Sequence, residues 1–550
     1  MDRMRLICVL ALAATAYGED FVPSLASDAR LHLRVADSAP PLKDVSIVAG
    51  QVFQANWEPT PERRERLTDI TFPIHWWKWQ EASVRFTPQA DGQLELILNG
   101  TWAEERPGVL REQEVLWDDL TAEGTTITNG GFEEKEGSLP KNWESPWRPY
   151  PAATDWPITG GEPLSGTGFA VSWHGRPLIQ KITVKAGQPV TLKLHARAVT
   201  IPGFVPPKRF GNDTPAHQAA AKMKRGVNLG NGWEAAPGTW GLEYTVEDID
   251  RIAAEGFDHI RVPVAWQYHL ENGAIKPALL AALEPVLHHA LEKNLRVILN
   301  WQHLDPLYKD PAATKAEFFA GWEAVATHFK DWPDTLCFEL INEPNASLDG
   351  AVMNDIYRDA IATIRKTNPN RIILADAPQW SSIGSLDRLT LPDGDDRIIV
   401  SVHNYDPFFF THQGASWVQL DSLKGVTYPG PPPAPVAVPD ALKDRADVVA
   451  WLDRYNRLPA AENPCSAAVI NRWLDDAAAW QAYFGRPVHL GEFGADRFGD
   501  PQSRERYVRD VRSAAEARHI PWTLWDWKAG FAYWDSASNK PLLKEAIFGK

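Results

Sequence analysis

From residue 222 onward the chain carries eight short apolar runs with helical stretches between most of them, and this alternation constrains its fold more than any other feature. The runs are Gly226-Val227-Asn228-Leu229, His259-Ile260-Arg261-Val262, Arg296-Val297-Ile298-Leu299, Cys337 to Ile341, Ile372-Ile373-Leu374, Ile398 to Val402, Val488-His489-Leu490 and Trp522 to Trp525. Runs of this kind read as buried strands. Among the helical stretches, Thr245 to Glu255 has Thr245 as its N-cap, Asp248 three residues on, and Gly256 as its stop. Ala278 to Glu292 places Leu279, Leu280, Leu283 and Leu287 on one face, with Pro285 expected to kink it. Gln502 to Arg518 is a charged amphipathic helix before the last strand. Eight strand-helix units predict an α/β fold, a (β/α)8 TIM barrel over residues 215–550. A doubly wound open sheet is the runner-up, but no Gly-rich phosphate turn follows the first run.

At 550 residues the chain is too long for one core. It divides near residue 205. Residues 19–200 hold period-two runs such as Ala82 to Phe86, Gln93 to Leu98, Glu114 to Trp117 and Lys181 to Val184, which predict an antiparallel β-sandwich. Residues 201–214, opening Ile201-Pro202-Gly203-Phe204-Val205-Pro206-Pro207, read as a linker, because proline disfavours both helix and central strand. Two stretches of the β-rich region resemble carbohydrate-binding jelly rolls. Asn129-Gly130-Gly131-Phe132-Glu133 with Pro140-Lys141-Asn142-Trp143 looks like an opening strand, and Leu116-Trp117-Asp118-Asp119-Leu120 like a closing one. The closing pattern comes first, so either two incomplete modules lie side by side or the jelly roll is rearranged. Trp76, Trp77 and Trp79 are candidates for a sugar-stacking face or for core.

Residues 1–18 read as a secretory signal: Arg3 and Arg5 precede an apolar run from Leu6 to Ala14, and small residues follow. That run is too short to span a bilayer comfortably, and no other segment reads as a membrane span. A secreted or periplasmic location is expected. Cys8 would leave with the signal, so Cys337, on a strand, and Cys465, in a polar loop, are expected to be free thiols. The formal charge of −15 argues against nucleic acid and anionic membranes as partners. The 25 tryptophans favour a carbohydrate ligand, because flat apolar rings stack on sugar rings, although most are expected to pack cores.

Two of the strand runs end in a glutamate. Glu343 closes the stretch from Cys337 through Asn342, and Glu492 closes Pro487 to Gly491. Active sites of parallel barrels lie at the C-terminal strand ends. Two carboxyls delivered there meet the needs of glycosidic-bond cleavage: one protonates the leaving oxygen, and the other attacks or activates water.

Seven strand ends together resemble glycoside hydrolase family 5, the cellulase family of a retaining (β/α)8 clan. The matching residues are Arg225-Gly226-Val227-Asn228-Leu229-Gly230-Asn231, Arg261-Val262-Pro263, Ile341-Asn342-Glu343-Pro344, His403-Asn404-Tyr405, Gly491-Glu492-Phe493-Gly494 and Trp525-Asp526-Trp527, with a partial match on the third strand. The resemblance implies Glu343 as acid/base and Glu492 as nucleophile, with Arg261 as the positive partner that keeps Glu492 ionised. It implies that Asn342 binds the sugar 2-hydroxyl, that Tyr405 donates to Glu492, that His403 lies beside Glu343 or the substrate, and that Trp525 floors the subsite on the non-reducing side. The third strand departs from the family: Asn300-Trp301-Gln302-His303 keeps His303 but has Gln302 where a second histidine is usual. Residues 421–480, with the run Pro429 to Pro435, form a long insertion that is a candidate cover for one side of the cleft.

No phosphate loop or metal-ligand spacing appears, and neither cofactor nor metal is expected. His288 and His289 point about 100° apart on a helix, poorly placed to chelate one ion. The expected protein is a secreted, monomeric, retaining β-glycanase, an endo-β-1,4-glucanase acting on a polysaccharide. The alternatives are a β-mannanase, xyloglucanase or β-1,3-glucanase of the same family, or a non-catalytic polysaccharide-binding protein.

Overall fold

Every residue of the runs His259–Val264, Ile398–His403 and Val488–Phe493 is buried, as strands covered on both faces must be. The computed structural model describes residues 27–35, 42–49, 54–56, 66–100, 103–106, 109–111, 114–145, 162–173, 175–199 and 206–549. They fall into two compact units, one built on Tyr17–Pro206 and the other on Pro207–Lys550. The signal-like residues 1–18 lie outside the described residues.

The second unit is a closed parallel barrel of eight strands. We label them β1 (Arg225–Asn228), β2 (His259–Val264), β3 (Arg296–Trp301), β4 (Leu336–Glu339), β5 (Ile373–Asp376), β6 (Ile398–His403), β7 (Val488–Phe493) and β8 (Trp522–Leu524). Each pairs with its sequence neighbour, and β8 closes on β1. Register shifts fall between Val402 and His403 on β6 and between Leu490 and Phe493 on the β7 side, at the rim where Glu492 stands. Irregularities of this kind re-aim side chains at barrel ends.

Helices return the chain outside the barrel. Val246–Glu255 begins where Asp248 Oδ2 accepts the Thr245 N–H at 3.1 Å and ends on Gly256 at φ 101°. Pro277–Glu292 buries Leu279, Leu283, Val286, Leu287 and Ala290, runs on through Pro285, and leaves Leu280 half-buried. Pro311–His328 and Gly350–Arg365 follow, then Ala467–Phe484 and Pro501–Ala517. The β5–β6 connection has no such helix; it consists of short turns, the longest being Ile383–Arg388. His288 stacks on Trp332 at 4.1 Å, whereas His289 pairs with Asp250 at 2.9 Å, so the two histidines serve separate contacts.

The insertion between β6 and β7 is seated on an outer helix. Tyr428 is buried and donates to Asp510 at 2.7 Å, Arg506 Nε donates to the Tyr428 carbonyl at 2.8 Å, and the Gly430 N–H reaches the Cys465 carbonyl at 2.7 Å. Cys465, placed by sequence in a polar loop, is thereby buried; Cys337 is buried as expected, and both are free. Residues 206–214, read as the end of a linker, are partly docked on the barrel: Phe210 N–H donates to the Phe484 carbonyl at 2.9 Å.

The first unit holds two five-stranded antiparallel sheets, and the strand Val190–Ala198 buries alternate residues, with Val190, Leu192, Leu194, Ala196 and Ala198 inside. Val115–Glu123 is a strand, but the expected opening strand at Asn129 is a turn. Asn129 and Phe132 have φ of 51° and 57°, and the Asn129 side chain accepts from Glu134 N–H while donating to the Glu134 carbonyl. Both stretches belong to one unit, joined by Leu120 N–H to the Gly130 carbonyl at 2.9 Å. Trp76 and Trp77 are buried and Trp79 packs against Leu116, Phe169 and Val171, so these three rings are packing residues.

Candidate active site

The barrel delivers one buried cation to a group of carboxyls. Arg261, on β2, is fully buried; a buried guanidinium must find acceptors for its donors. Nε donates to Glu339 Oε2 at 2.6 Å, Nη1 to Asn228 Oδ1 at 2.9 Å and to Glu492 Oε1 at 2.7 Å, and Nη2 to Asn342 Oδ1 at 2.7 Å. Tyr405 donates to the second oxygen of Glu492 at 2.8 Å. Glu492 therefore has one donor on each oxygen and a fixed orientation.

Glu343 lies just past β4, with φ 47° and its side chain one-fifth exposed. A carboxyl oxygen of Glu343, one of Glu492 and a ring nitrogen of His403 all lie within 4.8 Å of one another. His403 Nδ1 is 2.8 Å from Glu343 Oε1. Burial pushes the Glu343 carboxyl up, against the pull of His303 and Arg261. Burial also raises Glu492, opposed by His403 and Arg261 and reinforced by Glu343. His403 is pushed down to about 4, chiefly by burial, and is neutral near pH 7. Two carboxyls this close share their protons. The donors of Arg261 and Tyr405 favour charge on Glu492 over charge on Glu343.

Asn342 spends its oxygen on Arg261, and its Nδ2 is buried without a partner among the described residues, which leaves its N–H donors for a ligand. The Trp525 ring, half-buried after β8, lies over Gly230, where an added Cβ would come within 3.1 Å of it. Residues 220–530 match the cellulase family, glycosyl hydrolase family 5. The chain belongs to this family.

Within family 5, Endoglucanase B of Clostridium cellulovorans is 32% identical over 340 residues, covering 57% of this chain and 68% of that one. Endoglucanase H of Acetivibrio thermocellus is 28% identical over 326 residues, covering 58% of this chain but only 31% of its own length. A solved hyperthermophilic endo-β-1,4-glucanase in complex with substrate is 32% identical, with a TM-score of 0.53, over 61% of this chain and 100% of that one. Thermotoga maritima Cel5A, solved with mannotriose and with cellobiose, is 29% identical with a TM-score of 0.51 over 61% of this chain and 100% of that one.

The structure gathers Arg261, Asn342, Glu343, His403, Tyr405, Glu492 and Trp525 at the C-terminal barrel rim, where family 5 residues were expected. His303 stands exposed at the mouth with φ 50°, its ring 3.2 Å from the Gln302 amide. Four residues escaped the sequence reading. Asn228 ties Arg261 to the carbonyls of Gly491 and Leu524 at 3.1 and 3.2 Å. Glu339 and Asp376 form a second buried acid pair beneath the first, with His403 beside them. Glu234 is buried after β1 and accepts the Asn231 N–H at 2.5 Å; burial raises it to about 8. Charged residues inside or just beyond apolar runs were the available signal. The two clusters of acids and His403 have a composition that could hold a cation. Arg261 already occupies Glu339 and Glu492, and its charge would repel a second cation there.

Proposed function

We propose that the protein is a retaining endo-β-1,4-glucanase. The observation that carries this reading is the approach of Glu343 and Glu492 to within 4.8 Å. Retaining glycosidases hold their carboxyls about 5–5.5 Å apart, whereas inverting ones need about 6.5–9.5 Å to admit a water. In the first step Glu492 attacks the anomeric carbon and the glycosidic C–O bond breaks, while Glu343 gives its proton to the departing oxygen. The sugar is left esterified to Glu492. In the second step Glu343, now a carboxylate, takes a proton from water, whose oxygen attacks the same carbon and releases Glu492. Arg261 and Tyr405 stabilise Glu492 as it leaves. The free Asn342 Nδ2 meets the sugar 2-hydroxyl, and Trp525 stacks under the ring on the non-reducing side. Exposed Trp240, Trp380 and Trp417 follow β1, β5 and β6, and offer further platforms for a long chain.

The glucan preference rests on the endoglucanase relatives. β-Mannan is the second reading, since Thermotoga maritima Cel5A is recorded with mannotriose and this chain has Gln302 on the third strand. Export by residues 1–18 and sugar binding by the β-rich unit complete the proposal. The test is NMR of products released from soluble β-1,4-glucan and β-mannan, comparing wild type with Glu492→Gln. First-formed β-anomer from glucan, absent in the variant, supports the reading; α-anomer, or undiminished activity of the variant, overturns it.

A further inference from the structure

Asp376 ends β5 and is wholly buried under the acid, yet the chemistry above gives it no part. Its Oδ2 accepts the Glu343 backbone N–H at 3.1 Å and the Ser381 hydroxyl at 2.7 Å. Oδ2 also lies 3.9 Å from His403 Nε2. Its Oδ1 is buried and meets no donor among the described residues. A carboxyl oxygen of Glu339 lies within 4.8 Å of one of Asp376. Glu339 already takes Arg261 Nε at 2.6 Å and the Ser401 hydroxyl at 2.9 Å, so its negative charge is satisfied. A second negative charge beside it would lack a cation of its own, because among the described residues Arg261 is the only guanidinium in contact with these groups and it already holds Glu492 as well.

We propose that Asp376 is a positioning residue for the acid: a neutral carboxylic acid whose Oδ1–H faces Glu339 and whose Oδ2 clamps the Glu343 backbone in its left-handed conformation. The groups around it are Glu339, Arg261, His403 and Ser381, with the Tyr357 hydroxyl on its backbone carbonyl and Tyr308 nearby. Burial, then the charge of Glu339, holds Asp376 well above the usual carboxylate range, in keeping with this geometry. The backbone at Glu343 is otherwise unfavourable, because φ 47° is the left-handed region that a non-glycine residue adopts only under strain. The clamp extends to the neighbouring turn, where Gln379, Trp380 and Ser381 all have φ between 55° and 58°. The Trp380 N–H reaches the Pro344 carbonyl at 3.0 Å, so the turn and the acid's loop are bound together twice. Asp376 thus fixes where Glu343 presents its proton.

This inference rests on Glu343 being the acid, and its test separates the two claims. A dinitrophenyl β-cellobioside has a leaving group that departs without a proton, whereas a phenyl β-cellobioside needs protonation. Wild type must cut both; if it cuts neither, the glycosidase reading falls and this one with it. For Asp376→Ala, kcat/KM on the phenyl glycoside is expected to drop about 100-fold, and on the dinitrophenyl glycoside by less than about fivefold. Asp376→Asn keeps an N–H toward Glu339 and an acceptor toward Glu343, and is expected to remain within tenfold of wild type on both. Equal losses on the two substrates in Asp376→Ala, or no loss, overturn the proposal. If Asp376→Ala does not fold, as thermal unfolding would reveal, Asp376→Asn decides alone: a loss beyond tenfold on the phenyl glycoside means that the residue acts as a charge.

Discussion

Arg261 Nη1 lies 2.7 Å from Glu492 Oε1, and the same guanidinium reaches Glu339 through Nε and Asn342 through Nη2. One planar group therefore fixes Glu492, the buried Glu339 and the Asn342 amide. A lysine ammonium is a point donor and cannot span these positions.

Arg261→Lys is expected to lower kcat on soluble β-glucan by at least about 100-fold, with a smaller change in KM, because the lost contacts serve charge that shifts during reaction. Arg261→Met goes further. It leaves Glu339 and Glu492 buried without their cation, and chemical denaturation is expected to show about 3–5 kcal/mol less stability. A near-native kcat for the lysine variant would mean that Tyr405 alone suffices to hold Glu492.

Glu343→Gln tests the assignment of acid and nucleophile. Removing a general acid costs about 100- to 10,000-fold where the leaving group needs its proton. The expected outcome is a loss of that size in kcat/KM on the phenyl glycoside and little loss on the dinitrophenyl glycoside. Glu492→Gln, by contrast, is expected to abolish turnover of both. The basic limb of the wild-type pH profile reports loss of the Glu343 proton and lies above the ordinary glutamate range, because burial raises that group. In Glu343→Gln on the dinitrophenyl glycoside that limb is expected to disappear.

Tyr405 donates to Glu492 Oε2 at 2.8 Å and so favours its charged form. Tyr405→Phe removes the donor, raises the carboxyl further and moves the acid limb of kcat/KM to higher pH. A kcat lowered about tenfold is expected with it, as for loss of one stabilising hydrogen bond of about 1.4 kcal/mol. An unmoved acid limb would show that Arg261 controls the nucleophile without help.

The barrel was legible because its strands are buried on both faces, so that β2, β6 and β7 stand out as short apolar-rich runs without a solvent-facing polar alternation. Glu343 and Glu492 were legible because each ends such a run. Glu339 and Asp376 were not: one is embedded in a run and the other ends one, and only the pairing of β4 with β5 brings them together. Asn129 misled because Asn-Gly-Gly is turn chemistry whatever motif it resembles, and its φ of 51° ends any strand there. Cys465 misled because its neighbours are polar, while it is buried where Gly430 and Thr427, distant in sequence, meet it.

Glu234 makes the stability of the folded chain depend on pH. It is 7% exposed, burial raises its carboxyl to about 8, and Glu492 and Asp526 add repulsion. The unfolded chain would titrate this group near its ordinary value of about 4.3. A group whose folded value is raised favours the folded state fully below the unfolded value, and that contribution is lost as pH rises to the folded value. Asp526, raised to about 7 by burial, acts in the same direction. Thermal stability is therefore expected to fall between about pH 4.5 and 8 through these two acids. Glu234→Gln remains neutral at every pH and can still accept the Asn231 N–H that Glu234 Oε1 receives. Differential scanning calorimetry at pH 5, 6.5 and 8 should show a shallower decline for the variant than for wild type, with the two curves closest at pH 5. Parallel curves would mean that Glu234 ionises freely in the folded protein, and that Arg261 compensates its charge across the site.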